Sequence, residues 1–252
     1  PRTPLMHFLR EVADWLTDPA HWHGPNGIPV RVGEHVGLSA VALAVALIVA
    51  VPIGLALGHR GRGGFLAVNV GNIGRAIPSI AILIIGAAWL GIGGRPGLFG
   101  IGAKPALLAL VVLGIPPVLT NTYTATASVD ADVKDAARGM GMTGRQVLWR
   151  VEVPAALPLM FAGVRTSGSQ IVATATLAAY IGWGGLGTYI VKGIALDQAG
   201  HAEVFAGALL VVALAFAVDL ALGALQRAVS SPGVRLERQM MREQMRVRQV
   251  VV

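Results

Sequence analysis

The chain has 252 residues, of which 54% are hydrophobic and 13% are charged, against roughly 25% charged residues in soluble domains. So few charges cannot cover the surface of a soluble fold of this size. The shortage excludes a disordered chain and a nucleic-acid-binding domain despite the net charge of +7, and it argues against an ordinary cytosolic enzyme. The absence of cysteine excludes disulfides and thiolate metal sites.

Residues 1–35 are predicted to form an extracytoplasmic amphipathic segment. Apolar residues at helical spacing are followed by a run rich in proline and glycine. Trp15 and Trp22 are typical of a membrane interface, so we expect a helix that lies on the membrane surface. His21 and His23 are spaced like a pair of metal ligands, but we predict no metal site in this chain.

Residues 36–226 are predicted to be an all-α transmembrane domain. A helix of about 20 apolar residues spans the hydrocarbon core of a bilayer. Five stretches fit this length, and they are 36–58, 65–90, 105–127, 157–181 and 204–225. Polar residues and a proline interrupt the second stretch, whose apolar part is 76–91. Between the last two stretches, the glycine-rich segment 182–203 is expected to hold a short re-entrant or surface helix.

The basic residues predict the orientation of the five crossings. With the C-terminus inside, twelve Lys and Arg residues lie on the cytoplasmic side and six lie outside. Cytoplasmic loops carry the excess of positive charge in membrane proteins. We therefore predict an extracytoplasmic N-terminus and, at residues 227–252, a basic cytoplasmic tail.

The loop 129–155, between the third and fourth predicted spans, has a pattern of its own. Val133, Ala136, Ala137 and Met140 share one helical face, which ends at the glycines that follow. Thr143 is a suitable N-cap for a second helix, which we expect to stop at Pro154. Two short helices joined by a glycine turn would form a rigid knob on the inside surface.

This loop resembles the EAA loop of ABC-importer permeases of the type I, MetI-like group. The resemblance rests on Asp135-Ala136-Ala137, on Gly141, and on Val151-x-Val153-Pro154, all at the family's spacing. Asp135 departs from the usual glutamate, which shortens the side chain by about one methylene. The resemblance implies that the loop couples to an ATPase through Asp135, Ala136, Ala137, Gly139, Gly141, Met142 and Pro154.

Other segments resemble the osmoprotectant permease subfamily, whose substrates are glycine betaine, carnitine, choline or proline betaine. They include Arg75-Ala76-Ile77-Pro78-Ser79, Asn121-Thr122-Tyr123-Thr124 and Ile181-Gly182-Trp183-Gly184-Gly185-Leu186-Gly187. The resemblance implies a multi-pass protein of the bacterial cytoplasmic membrane, working as a homo- or heterodimer of five-span permease subunits.

The same resemblance implies the partners of the chain. Two ATPase subunits would dock on the inside loops and would bind ATP and Mg, because this chain has no Walker A pattern. We therefore predict no catalytic residue and no cofactor bound by this chain. Since 27 residues follow the last predicted span, we expect the extracytoplasmic substrate-binding protein to be a separate chain.

Polar residues inside the predicted spans are candidates for the translocation pathway, because polar groups in hydrocarbon usually face the bundle interior or water. These residues are Asn72, Arg75, Ser79, Asn121, Tyr123, Gln170 and Thr174. Interhelical hydrogen bonding is an equally good interpretation. Arg75 would need a partner, for which Asp219 is a candidate. With 14 aromatic residues, the pathway is expected to bind substrate weakly and to leave selectivity to the binding protein.

Three alternatives remain open at this point. The first is an ABC permease for methionine or another small amino acid. The second is an ion-coupled secondary transporter, although we find no internal repeat of spans. The third is a membrane scaffold that transports nothing.

Overall fold

The computed structural model describes residues 4–65, 69, 71, 77–92 and 101–229, and within these ranges the regular structure is helical. The α-helices are α1 (Pro4–Thr17), α2 (Ile28–His59), α3 (Ser79–Leu90), α4 (Ala103–Ala127), α5 (Ala131–Gly139), α6 (Gly144–Val147), α7 (Val153–Ala175), α8 (Gly187–Ala195) and α9 (His201–Val229). A π-helical turn (Leu148–Glu152) joins α6 to α7, and short 3-10 turns occupy Pro19–His21, Thr176–Ile181 and Asp197–Gly200.

Among the described residues, four helical stretches are long and apolar enough to cross a membrane. They are Ile28–His59, Ala103–Ala127, Gly144–Ile181 and Asp197–Val229, and they coincide with the first, third, fourth and fifth predicted spans. The all-helical prediction is therefore confirmed. The second predicted span is represented by α3, whose 12 residues extend about 18 Å. That length is too short to cross, so the count of five spans stays a prediction.

Helix α2 begins eight residues before the predicted span. Gly27 precedes it in extended conformation, and Pro29 occupies its first turn, where the missing N–H of proline costs no hydrogen bond. The helix continues to His59 and includes Pro52. The start of the apolar run therefore does not mark the start of the helix, because Gly27 and Pro29 allow the helix to begin eight residues earlier.

Small residues allow α2 and α4 to pack closely along their length. Ala42, Ala46 and Ala50 of α2 are fully buried. At Gly58, an added Cβ would lie 2.6 Å from Thr126 Cβ and 3.0 Å from the Tyr123 carbonyl oxygen. Membrane helices associate through such close contacts, because lipid tails leave little hydrophobic drive between helices.

Helix α7 packs against both α4 and α9. The buried Ser167 hydroxyl donates to the Gly114 carbonyl of α4 at 2.9 Å. On the other side, the Arg165 guanidinium donates to Asp219 of α9 through two nitrogens, at 2.7 and 3.2 Å. The structure pairs Asp219 with Arg165 on the neighbouring helix, and the pairing of Asp219 with Arg75 stays a prediction. Arg75 itself lies outside the described residues.

Helix α1 is amphipathic, and one face packs on the helical bundle. The Phe8 and Phe205 rings meet edge to face with centroids 4.7 Å apart, and Trp15 meets Tyr189 in the same way at 5.2 Å. Its other apolar residues, Leu5, Met6 and Leu9, are exposed. That α1 lies on the membrane surface stays a prediction.

The close approach of α2 to α4 can be tested with two alanine substitutions in the same helix. We expect Gly58→Ala to lower the free energy of unfolding by about 1–3 kcal/mol, because the new methyl overlaps backbone and Cβ atoms that cannot both move away. The measurement is thermal unfolding of the detergent-solubilised protein, followed by tryptophan fluorescence.

The matched control is Gly33→Ala, since an added Cβ at Gly33 meets no atom within 4 Å. This variant should be neutral or more stable by up to about 1 kcal/mol, because alanine favours helix over glycine. Equal melting temperatures for the two variants would contradict the packing at Gly58.

Candidate functional site

The loop 129–155 folds as two capped helices, as its sequence predicts. The Asp130 side chain caps α5 by accepting from the Asp132 backbone N–H at 2.8 Å. The chain reverses at Gly141, whose φ of +85° is unfavourable for any residue with a Cβ. The Thr143 backbone N–H donates to the Gln146 side chain at 2.8 Å, and the Gln146 N–H donates back to Thr143 Oγ1 at 3.4 Å. This reciprocal capping box fixes the start of α6.

The second helix of the loop does not stop at Pro154, so that prediction was wrong. The helical path runs on from Gly144 to Ile181 through the π-helical turn and α7. Within the wider turn, the Val153 N–H donates to the Leu148 carbonyl oxygen. Proline follows at the second position of α7, in the first turn, where proline is tolerated. The loop is therefore continuous with a membrane-spanning helix.

The predicted coupling residues divide between an exposed face and a buried base. Asp135, Ala136, Gly139, Gly141 and Pro154 are exposed, Met142 is half-buried and Ala137 is buried. The Asp135 carboxylate accepts from Arg138 within its own helix at 3.0 Å. It remains 71% exposed, and is therefore available to a partner.

Three large apolar side chains in the loop are exposed that sequence reasoning did not single out as contact residues, and one of them is Val133, which is 50% exposed. Met140 is 74% exposed and Trp149 is 56% exposed. Apolar and aromatic groups of this kind are enriched where proteins dock. Periodicity could not identify Trp149, because the π-helical turn changes which face of the helix it occupies.

The base of the loop contains a fully buried carboxylate that sequence reasoning also missed. Glu152 Oε2 accepts a hydrogen bond from His59 Nδ1, at the end of α2, at 2.7 Å. Its other oxygen lies 3.9 Å from Lys134 Nζ of α5. We call these three residues the inner cluster. His59 and Glu152 are 93 positions apart in the sequence. No local sequence pattern therefore indicates this cluster.

The predicted pathway residues are half-buried where the structure describes them, namely at Ser79, Asn121, Tyr123, Gln170 and Thr174. Asn72 and Arg75 lie outside the described residues. The Asn121 amide donates to the Pro117 carbonyl of its own helix at 2.8 Å and packs against Gly163 of α7. For this residue, the contacts favour helix packing. A role in translocation stays a prediction for the whole set.

The N-terminal end of α2 is bonded to the glycine-rich segment that precedes α8. The Gly185 N–H donates to Glu34 Oε2 at 2.8 Å, and the same oxygen accepts from Arg31 at 2.8 Å. The next backbone N–H, of Leu186, donates to His35 Nδ1 at 3.3 Å. The other ring nitrogen of His35 donates to the Val172 carbonyl at 2.9 Å. We call Glu34, His35, Gly185 and Leu186 the outer cluster.

The contacts around the outer cluster extend to the N-terminal segment. Burial raises the pKa of the Tyr189 phenol, so the hydroxyl stays protonated and donates to the Asn26 carbonyl at 2.8 Å. The two histidines considered as metal ligands are bonded to backbone instead, His21 to Trp15 at 2.8 Å and His23 to Pro19 at 2.7 Å. Each Nδ1 therefore donates to a carbonyl oxygen.

Long apolar helices around a structured, partly exposed loop define a multi-pass membrane protein. The sequence matches the family described as binding-protein-dependent transport system inner membrane component over residues 40–231. The chain belongs to this family.

Several relatives of this chain are transport permeases of moderate sequence identity. The chain is 37% identical over 204 residues to the glycine betaine/carnitine/choline transport system permease protein OpuCB of Bacillus subtilis, covering 81% of this chain and 89% of that protein. It is 33% identical over 202 residues to the osmoprotectant import permease protein OsmW of Salmonella typhimurium, with 80% and 91% covered.

The fold is similar to that of a solved transporter. One chain of the MetNI methionine ABC transporter, in an inward-facing conformation, superposes with a TM-score of 0.67 at 22% identity. The match covers 85% of this chain and all of that chain. At this identity the likeness shows a shared fold, which agrees with the MetI-like architecture predicted from the loop.

The outer cluster makes a specific prediction for hydrogen exchange. We expect Glu34→Ala to speed exchange of the Gly185 amide on the order of tenfold, because a hydrogen bond to a charged acceptor contributes about 1.5 kcal/mol or more. The measurement is hydrogen–deuterium exchange of the peptide that contains residues 182–188. Glu11→Ala, at an exposed carboxylate of α1, is the control and should leave this peptide unchanged. Protection of Gly185 that survives Glu34→Ala would argue against the contact.

Proposed function

We propose that this chain is the transmembrane permease subunit of an ATP-driven importer for osmoprotectants of the quaternary-ammonium class, such as glycine betaine, carnitine, choline or proline betaine. The observation that carries the proposal is the loop 129–155, with two capped helices, an exposed face and a helical path that continues into the membrane. The names of the relatives support the substrate class.

The loop acts as the contact for a partner ATPase. Two ATPase subunits bind ATP and Mg and press on the exposed residues around Asp135 and Gly141. Because Gly144–Ile181 is one helical path of 38 residues, or about 57 Å, displacement of the loop is passed directly into the bundle. A second permease subunit, identical or similar, forms the other half of the pathway.

This function sets the orientation of the chain in the bacterial cytoplasmic membrane. The coupling loop lies in the cytoplasm with the C-terminus, and the N-terminus lies outside. The excess of Lys and Arg on the proposed cytoplasmic side supports this arrangement. The outer cluster and α1 then face a separate binding protein that delivers the substrate.

Selectivity in this proposal resides in the binding protein. A quaternary ammonium ion is held tightly by aromatic rings through cation–π attraction, whereas the candidate pathway residues are mainly neutral amides and hydroxyls with a single tyrosine. Such a passage binds substrate weakly and allows rapid release on the inner side.

Uptake measurements test the proposed function. Proteoliposomes that contain the permease, its ATPase subunits and the binding protein should accumulate radiolabelled glycine betaine, carnitine or choline. Accumulation should require ATP on the side of the membrane that carries the ATPase subunits. Uptake that persists without the ATPase subunits would favour an ion-coupled carrier. Uptake of methionine but none of the three quaternary ammonium compounds would favour the amino-acid alternative.

The turn at Gly141 gives a sharper test of the coupling loop. We expect Gly141→Val to abolish stimulation of ATP hydrolysis by substrate-loaded binding protein. A β-branched residue is a severe outlier at positive φ, so the turn between α5 and α6 must rearrange. The measurement is the ratio of stimulated to basal ATP turnover in proteoliposomes.

The control is Gly24→Val in the outer segment. Gly24 also has positive φ, +79°, and, as at Gly141, an added Cβ meets no atom within 4 Å. Both variants therefore carry similar backbone strain, but only the loop variant should lose stimulation. Normal stimulation in Gly141→Val would count against the coupling role of the loop.

A further inference from the structure

Glu152 is an unusual residue for the inner end of a membrane bundle, because its carboxylate is fully buried. Removing a carboxylate from water costs several kcal/mol unless it is well paired. A structural role alone would be filled at lower cost by an apolar residue of similar size. The buried charge of Glu152 is therefore best explained by the parts of the chain that its carboxylate contacts.

The partners of Glu152 come from two other parts of the chain. His59 is the last residue of α2, and its Nδ1 donates to Oε2 at 2.7 Å. Lys134 lies in α5, the first helix of the loop, and its ammonium is 3.9 Å from Oε1. The inner cluster thus joins the end of α2, the first loop helix and the π-helical turn that leads into α7.

The π-helical turn places the carboxylate in the cluster. Glu152 is the last residue of this turn, which is a less regular and more adjustable segment than an α-helix and is often found at functional sites. A regular α-helix through the same residues would rotate Glu152 away from its present direction. The contact with His59 therefore depends on the backbone state of the segment between loop and membrane.

Helix α2 connects this cluster to the opposite side of the bundle. His35 and His59 are 24 positions apart in one continuous helix, a separation of about 36 Å. At the far end, Glu34 and His35 bond the backbone of Gly185 and Leu186. A displacement received at His59 is therefore applied to a helix that also carries the outer cluster.

We infer that Glu152 is a positioning residue for coupling: its hydrogen bond to His59 and its ion-pair contact with Lys134 pass movement of the loop 129–155 to α2 as well as to α7. The inference rests on the proposed function, since it assumes that an ATPase moves the loop. Without this cluster, the loop would still displace α7 through the helical path, but α2 and the outer cluster would not follow.

The test compares transport with ATP consumption in proteoliposomes that contain the complete importer. The variants are Glu152→Gln, His59→Gln and Lys134→Met, and each is assayed for uptake of radiolabelled glycine betaine, carnitine and choline and for ATP hydrolysis. We expect the number of substrate molecules moved per ATP to fall at least about fivefold in Glu152→Gln, the lower end of the usual range for coupling between sites. A loss of folded protein alone would lower both rates together and leave this ratio unchanged.

Asp219→Asn is the matched control. It makes the same change, carboxylate to amide, in the ion pair with Arg165 between α7 and α9, which does not touch the loop. This variant should keep the wild-type ratio even if less complex is recovered. The double variant Glu152→Gln/His59→Gln should be no worse than Glu152→Gln alone, because residues acting through one contact are not additive.

Several results would overturn the inference. One is a wild-type ratio in Glu152→Gln, and another is additive loss in the double variant. Failure of all three single variants to assemble would also overturn it, since the cluster would then be required for folding and not for coupling. If the wild-type complex shows no ATP-dependent uptake, the proposed function fails. If the wild-type complex does show it and the variants keep the wild-type ratio of substrate moved per ATP, only the role of Glu152 is refuted.

Discussion

Polar contacts at the two ends of α2 hold this structure together. Ionisable groups near a bilayer are costly unless they are paired. At its N-terminal end Glu34 is bonded to Arg31 and to the backbone of Gly185, and at its C-terminal end His59 is bonded to Glu152. These contacts fix α2 against the connecting segments at both ends of the bundle, while small residues along its length let α4 approach closely.

Much of the architecture could be predicted because a bilayer leaves the chain few choices. Backbone groups in hydrocarbon must be satisfied within a helix, so four long apolar runs gave four helices at nearly the predicted places. The loop was equally predictable for a local reason. Its caps and its turn depend on Asp130, Thr143, Gln146 and Gly141, which act on backbone within three residues of themselves.

The interactions that sequence reasoning missed are those between distant segments. Nothing near Glu152 indicates that His59 is its partner, and nothing near Asp219 distinguishes Arg165 from Arg75. The prediction at Pro154 failed for a different, local reason. A proline inside an α-helix ordinarily breaks it, because its ring clashes with the preceding turn. Here a wider π-helical turn lies just before Pro154, so the helical path continues. The candidate coupling face was therefore predictable, whereas its buried base required the structure.

The connections of the loop divide the long helices into two groups. Helix α4 enters the loop directly through Ser128, α7 leaves it through the π-helical turn, and α2 is bonded to it through Glu152. Helix α9 is joined to α7, where Arg165 pairs with Asp219. A force on the loop would therefore move α2, α4 and α7 as one body, with α9 following as far as its contacts with α7 hold.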